Sequence, residues 1–230
     1  MKFPVYHSFN GYRNAVEKIL QRIASAHHQG ALDDQGVPAY ISGFYWSRQI
    51  FWKRIKLSVQ SILESPGGQC IDFGCGTGVL LPVLTRLFNT VYAIDISPDI
   101  TREFISFWNH CEKKPPVNVH LFEKLENIGA SQGSIDLIIA LDSLEHVDNT
   151  EDILLQMKYF LKPGGRILIS GPTENFFYRL GRKVVGFSGD YHRCSIYDIR
   201  KSVNKYFHIK SIKRIGLPFV LFLLIDAEKR

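Results

Sequence analysis

The chain has 230 residues, 45% of them hydrophobic and 22% charged, a composition that excludes a disordered chain and suits one α/β domain with an extension. The net charge of +6 comes from basic residues spread along the chain, so it indicates no specific nucleic-acid partner. The four cysteines form no C-x-x-C pair, and we expect neither a metal site nor a redox pair. Because the first residues lack a signal-peptide core and no apolar run is long enough to span a membrane, we expect a cytoplasmic protein.

The first 65 residues are predicted to form a helical extension in front of the core. Apolar residues recur at helical spacing in 16–24 and in 47–63, which predicts two helices. The stretch 27–43 is rich in glycine, aspartate and proline, which favours a loop. The Pro-Gly-Gly sequence at 66–68 then predicts a turn that leads into the first strand.

Beyond this turn, strand and helix patterns alternate, which is typical of an α/β fold. Buried strands are predicted at 70–73, 91–94, 117–122, 135–141 and 166–170. Helices are predicted between them at 78–88, 98–111 and 151–161, and the Lys-Pro-Gly-Gly turn at 162–165 precedes the fifth strand. A last helix at 196–207 is followed by two strands, 209–215 and 219–227, that form an antiparallel pair.

The stretch 69–80 carries the clearest sign of a ligand site. Three glycines, Gly74, Gly76 and Gly78, lie between a strand and a helix, where they allow close approach of a ligand. Together with the amino end of the helix, this loop is shaped to hold a polar or anionic group. The dinucleotide fingerprint needs a small residue at position 79, but Val79 stands there, which argues against a nicotinamide-dependent oxidoreductase.

Two acidic residues and a later motif give this loop its context. Asp72 precedes the first glycine, and Asp95 ends the second strand, where its carboxylate can accept hydrogen bonds from both hydroxyls of a ribose. After the fourth strand the chain reads Leu-Asp-Ser-Leu-Glu-His-Val over 141–147. With its D-x-G-x-G-x-G loop, its acid after the second strand, this motif and Leu-Lys-Pro-Gly-Gly before the fifth strand, the chain resembles the class I S-adenosylmethionine-dependent methyltransferases from residue 69 onward.

The resemblance implies a fold and a domain organisation. The expected fold is α/β and Rossmann-like, with a seven-stranded, mostly parallel sheet, one antiparallel strand and helices on both faces. Residues 66–230 would form the methyltransferase domain, with an insert at 172–194 that carries acceptor selectivity. The extension at 1–65 would cover the cofactor and part of the substrate pocket.

The resemblance also implies S-adenosylmethionine as cofactor and S-adenosylhomocysteine as product. The residues expected to hold the cofactor are Asp72, Gly74, Cys75, Gly76, Gly78, Asp95, Ile96, Glu123 and Leu141. Glu123 is assigned to the adenine although the acid usual in the family falls, by spacing, on Lys124, and this departure leaves adenine recognition open.

Methyl transfer of this kind requires positioning and exclusion of water, with no covalent intermediate. A hydroxyl acceptor is helped by a base, and His146 and His192 are the candidates because both are expected at the carboxyl rim of the sheet. We expect O-methylation of a small-molecule, lipid-linked or sugar-linked acceptor, with a macromolecule methyltransferase or a non-catalytic cofactor-binding regulator as alternatives. The basic segment 175–185 is either a solvated face or a contact to an acidic acceptor or a membrane surface, and the sequence does not indicate the oligomeric state.

Overall fold

The computed structural model describes residues 8–27, 32, 36–111, 118–176, 178, 193–216 and 218–230. Seven strands form one sheet: β1 (Gln69–Phe73), β2 (Thr90–Ile94), β3 (Val119–Phe122), β4 (Ile135–Leu141), β5 (Leu161–Pro172), β6 (Phe207–Ile215) and β7 (Phe222–Lys229). Their order is β3-β2-β1-β4-β5-β7-β6, and β7 runs antiparallel to both of its neighbours while the other pairs are parallel. The predicted Rossmann-like sheet with one reversed strand is confirmed.

Helices cover both faces of the sheet, which explains why its central strands are apolar along nearly their whole length. In β1, Cys70 belongs to one buried cluster and Ile71 to the other, because successive side chains of a strand point to opposite faces. The first cluster is completed by α1 (Phe9–Ala26), α2 (Val37–Ile41), α3 (Tyr45–Ile62), α4 (Leu81–Leu87) and α5 (Asp99–Cys111). The second is completed by α6 (Thr150–Phe160) and α7 (Ile196–Tyr206).

Two predictions for the first 65 residues need correction. The helix expected at 16–24 begins at Phe9, because the Ser8 hydroxyl accepts a hydrogen bond from the Gly11 N–H at 3.1 Å and caps it. The stretch 27–43 is not all loop, since it contains α2. Gly36 precedes that helix with a φ of 68°, and a proline at its first turn needs no backbone donor.

Two boundaries within the core also differ from the prediction. Helix α4 begins at Leu81 rather than at 78, because the Gly78 N–H donates to the Cys75 carbonyl at 2.8 Å and closes a turn there. Strand β5 begins at Leu161 and therefore includes the predicted turn 162–165, where Gly164 has a φ of 70°. Next to this turn, the pairing register of β4 and β5 shifts between Ile135 and Leu137.

The carboxyl ends of β1, β2, β4 and β5 lie at one edge of the sheet, where open α/β sheets bind ligands. Helix α3 reaches this edge, because Arg54 in its second half forms an ion pair with Asp142, the residue after β4. Past the carboxyl end of α3, the Ser65 hydroxyl accepts a hydrogen bond from Arg166 in β5 at 2.5 Å. The division into an extension at 1–65 and a domain at 66–230 stays a prediction. Within the described ranges, no helix has the length and hydropathy required to cross a membrane.

Candidate active site

The glycine-rich loop leaves β1 at the carboxyl edge and turns against the end of β2. The N–H groups of Gly74 and Cys75 both donate to the Ile94 carbonyl, at 2.8 and 2.9 Å. Gly74, Gly76 and Gly78 have φ angles of 67°, 53° and 81°, a region that L side chains rarely adopt. A Cβ on Gly74 would also lie only 2.3 Å from the Cβ of Ser143 in the next loop. The backbone path of this loop therefore depends on glycine.

Side chains from two helices hold the loop in place. The Thr101 hydroxyl of α5 donates to the Gly76 carbonyl and lies 3.7 Å from the Cys75 sulfur. The buried Tyr12 of α1 donates its hydroxyl proton to the Val79 carbonyl. Burial raises the pKa of the Cys75 thiol, so this residue packs as a thiol rather than acting as a nucleophilic thiolate.

Two carboxyl groups lie beside the loop. Asp72 in β1 is buried, and this burial, with the neighbouring charge of Asp95, raises the pKa of Asp72 from 3.8 to about 7. Asp95 is half-buried, and its two oxygens accept hydrogen bonds from the N–H groups of Gly76 at 2.8 Å and Ser97 at 2.9 Å. Each of these oxygens retains a second lone pair for a ligand hydroxyl.

This arrangement bears on the expectation that the loop holds a polar or anionic group, because it disfavours the anionic alternative. The loop N–H groups that would bind an anion already donate within the protein, those of Gly74, Cys75, Gly76 and Gly78. The helix that follows has seven residues, and two carboxyl groups lie beside the loop, so a pyrophosphate would be repelled. A ligand that combines hydroxyls with positive charge fits these residues, and the sulfonium and ammonium groups of S-adenosylmethionine supply that charge.

The other predicted cofactor residues also lie at the carboxyl edge. Ile96 follows Asp95 and is 87% exposed, which is unusual for a large apolar side chain. Glu123 is exposed after β3, and the neighbouring Lys124 forms an exposed ion pair with Glu126 at 3.9 Å. Leu141 is half-buried at the end of β4. The geometry brings these side chains to the edge that carries the loop, and their roles stay predictions.

Beside the loop, a charged network that the sequence did not predict joins α2 and α3 to the ends of β4 and β5. The buried Arg54 forms an ion pair with Asp142 and donates to the Tyr40 hydroxyl at 2.8 Å. Asp142 also accepts a hydrogen bond from the Ser170 hydroxyl at 2.8 Å, and its φ of 54° is a strained value for a residue other than glycine.

Aromatic rings surround this network. The Arg54 guanidinium lies 5.1 Å from the ring centroid of Phe51 and 5.3 Å from that of Phe222. Tyr40 packs edge-on against Phe51, and Tyr178 packs edge-on against Phe222 at 5.4 Å. The ends of β4, β5 and β7 thus form a region with aromatic walls and a buried ion pair, next to the glycine-rich loop.

Glu145 of the Leu-Glu-His-Val motif is fully buried, and within the described residues no group other than its own backbone N–H lies close enough to hydrogen-bond its carboxylate oxygens. Burial is the main reason that the pKa of Glu145 is raised from 4.5 to about 7. Its own backbone N–H and Arg54 lower this pKa, while the negative charge of Glu174 raises it. His146, one of the two predicted bases, is exposed on the same short turn, Leu144–His146. The other predicted base, His192, lies outside the described residues, as does most of the predicted insert, namely 177 and 179–192.

The sequence analysis did not predict that Arg54 and Glu145 belong to the site, although the sequence contains a weak indication for each. Arg54 lies at helical spacing with Phe51 and Ile55, on the face of α3 that would be expected to be apolar. Glu145 lies between Leu144 and the predicted base His146. For Thr101, Ser143 and Tyr12, which fix the loop, the sequence offers no signal, since their contacts join residues 25 to 70 positions apart.

Comparisons with known proteins agree with this geometry. A family model described as "Methyltransferase domain" matches residues 45–215. Among curated relatives, the ubiquinone biosynthesis O-methyltransferase of Xanthomonas axonopodis pv. citri is 32% identical over 113 residues, which are 49% of this chain and 46% of that protein. The chain thus aligns with less than half the length of this relative.

Solved structures show the same fold. Magnesium protoporphyrin IX methyltransferase from Synechocystis PCC 6803 has a TM-score of 0.65 at 18% identity, over 91% of this chain and all of that one. The N-methyltransferase NodS from Bradyrhizobium japonicum WM9 has a TM-score of 0.63 at 15% identity, over 95% of this chain and 98% of that one. The family model covers most of the chain, including the loop, both carboxyl residues and the acidic motif. The chain therefore belongs to the methyltransferase domain family, and its fold is that of the class I S-adenosylmethionine-dependent methyltransferases.

Proposed function

We propose that this methyltransferase methylates a hydroxyl group of a small, neutral, aromatic acceptor. The observation that carries the proposal is the region beside the loop, where aromatic rings enclose Arg54 and where carboxyl groups outnumber this arginine. Asp142 is paired with Arg54, while Glu145 and Glu174 add two more carboxyl groups nearby. An anionic acceptor would meet repulsion here, whereas a neutral hydroxyl can donate to a carboxylate.

In this proposal, the cofactor lies along the glycine-rich loop. Asp95 accepts hydrogen bonds from the ribose hydroxyls, and Asp72 provides negative charge near the methionine part. Ile96 packs beside the adenine, Glu123 is the nearest acid for the adenine amino group, and Leu141 lies between the cofactor and the acceptor. When bound, the cofactor supplies a methyl group activated for displacement. The protein supplies orientation and excludes water.

The name of the Xanthomonas relative supports oxygen as the acceptor atom, since that protein is an O-methyltransferase of ubiquinone biosynthesis. A lipid-linked or sugar-linked acceptor stays within the proposal if its reactive end is a neutral hydroxyl. Contact of 175–185 with a membrane surface also stays a proposal. The described part of that segment begins with Asn175, whose side chain donates to the Val220 carbonyl at 2.7 Å.

Two measurements test the proposal. Calorimetry should show binding of S-adenosylmethionine and no binding of NAD, as the carboxyl groups beside the loop require. Formation of S-adenosylhomocysteine should then be measured with catechol, with its carboxylated analogue 3,4-dihydroxybenzoate and with aniline. We expect turnover with catechol to exceed turnover with the other two. Preference for the carboxylate or for the amine would contradict a neutral hydroxyl acceptor.

A further inference from the structure

Glu145 is a buried carboxyl group that forms neither an ion pair nor a hydrogen bond with another described residue. It has no solvent exposure, and no other residue in the part of the chain that the structure describes donates a hydrogen bond to its oxygens. A buried polar group without a partner is costly, and in a native site it calls for an explanation such as catalysis or an absent ligand. The explanation must come from the surroundings of Glu145 at the carboxyl edge of the sheet.

The charged and titratable groups around Glu145 leave its negative charge unbalanced. From α3, Arg54 is the nearest cation, but its guanidinium is paired with Asp142. From the segment after β5, Glu174 adds a second negative charge. From the segment before α7, the Cys194 thiol lies close enough for its pKa to be affected by Glu145, although burial is the main reason that this pKa is raised.

The backbone around this cluster is strained. In the described part of the chain, the non-glycine residues with positive φ are Asp142 at 54° and Glu174 at 51°. Both follow neighbouring strands, β4 and β5, at the carboxyl edge, and both are acidic. Strain of this kind is concentrated at functional sites. Two strained acids and one unpartnered acid at one edge therefore mark this cluster as part of the reaction site.

We propose that Glu145, rather than His146 or His192, accepts the proton of the acceptor hydroxyl. This inference rests on the proposed function, since a base of this kind is needed only when the acceptor atom carries a proton to be lost. The acceptor O–H bond breaks and its proton moves to a Glu145 oxygen, while the acceptor oxygen forms a bond to the methyl carbon. The methyl–sulfur bond breaks and its electron pair stays on sulfur. Glu145 returns its proton to solvent after the product leaves.

The arginine has a positioning role in this scheme. Because Arg54 is held by Asp142 and by the Tyr40 hydroxyl, it lies within electrostatic range of Glu145 without forming a direct ion pair with it. A direct ion pair would lower the pKa of Glu145 and make it a poor base at neutral pH. With its pKa raised to about 7 by burial, Glu145 is well matched to proton transfer near neutrality.

The test uses the full chain with catechol, an aromatic dihydroxy compound whose hydroxyls stay protonated near pH 7, as the acceptor. S-adenosylhomocysteine binding is measured first by calorimetry, and it should be unchanged in Glu145→Gln. We expect kcat of the wild type to rise with pH around a midpoint near 7. In Glu145→Gln, kcat should fall by about 10²- to 10⁴-fold and lose this midpoint. Glu145→Asp should recover part of kcat, and the exposed Glu126→Gln should behave like the wild type.

A second readout does not depend on turnover. In protein labelled with ¹³C at glutamate carboxyls and saturated with S-adenosylhomocysteine, one resonance should titrate near pH 7, disappear in Glu145→Gln and move when catechol is added. An unchanged kcat–pH profile in Glu145→Gln would overturn the inference while leaving O-methylation intact. Turnover of amines but not of hydroxyl compounds would overturn the proposed function itself.

Discussion

The buried carboxyl of Asp72 makes the stability of the ligand-free protein depend on pH. Its pKa is about 7 in the folded protein against an ordinary value of 3.8, first because of burial and second because of Asp95. The folded state therefore holds this proton more tightly than the unfolded chain does. The stabilising contribution is fully present below the unfolded pKa and is lost as pH rises to about 7. A difference of about 3 pKa units corresponds to about 4 kcal/mol.

The perturbation is Asp72→Asn, and the assay is urea-induced unfolding without ligand at about pH 5 and at about pH 8. We expect Asp72 to cost the wild type about 3 kcal/mol of unfolding free energy between these values, because about two pKa units of the shift lie above pH 5. The asparagine variant should lose clearly less, because it cannot ionise. The amide itself costs about 1–3 kcal/mol at either pH if it lacks partners, so the pH dependence is the informative quantity rather than the absolute stability.

The matched control is Asp99→Asn, since Asp99 has a side chain that is 88% exposed at the start of α5. This variant should keep the pH dependence of the wild type. Equal pH dependence in the wild type and in Asp72→Asn would refute the reasoning from burial. A cationic ligand should favour the ionised form of Asp72, so S-adenosylmethionine should bind more tightly as pH rises towards 7, and this trend should vanish in Asp72→Asn.

The remaining predictions concern the loop and the ion pair. Asp95→Ala should weaken S-adenosylmethionine binding at least about tenfold in calorimetry, because two hydroxyls lose a charged acceptor, and unchanged affinity would refute that role. Gly76→Val should abolish binding while the fold survives. Gly129→Val is its control, since Gly129 has a similar φ of 64° and no atom within 4 Å of an added Cβ. Equal cofactor binding in both variants would contradict the role of the glycine-rich loop in holding the cofactor. Arg54→Met should destabilise the fold by about 3–5 kcal/mol in urea unfolding, and adding Asp142→Asn should recover part of this loss. If the double variant is no more stable than the single one, the ion pair is not the cause.

Much of the fold follows from local patterns in the sequence. The strands that form the centre of the sheet have short apolar runs, and their boundaries agree with the prediction to within a few residues. The loop after β1 was recognisable because the spacing of its glycines reflects a positive φ at each of them. These features depend on neighbours in the chain, so a pattern of residue types is enough to predict them.

The acceptor side of the site could not be predicted in the same way. Asp142 and Arg54 are 88 positions apart, and nothing in the spacing of either residue indicates the other. Glu145 looked like an ordinary motif acid, and its burial depends on elements from distant parts of the chain. The α2 helix was missed for a similar reason, since Tyr40 is buried by Phe51 and Trp52 rather than by an apolar pattern of its own. Tertiary contacts decided each of these features.

The site also separates two kinds of charge. In its described part, the acidic residues Asp142, Glu145 and Glu174 surround Arg54. The sequence of 179–192, in contrast, contains several basic residues. The residues that flank this segment lie close to the acidic residues. The Tyr178 ring packs on Phe222, and the Arg193 N–H donates to the Glu145 carbonyl at 2.9 Å. In the proposed function, these acidic residues favour a neutral reactive hydroxyl, since charge acts most strongly where water is excluded.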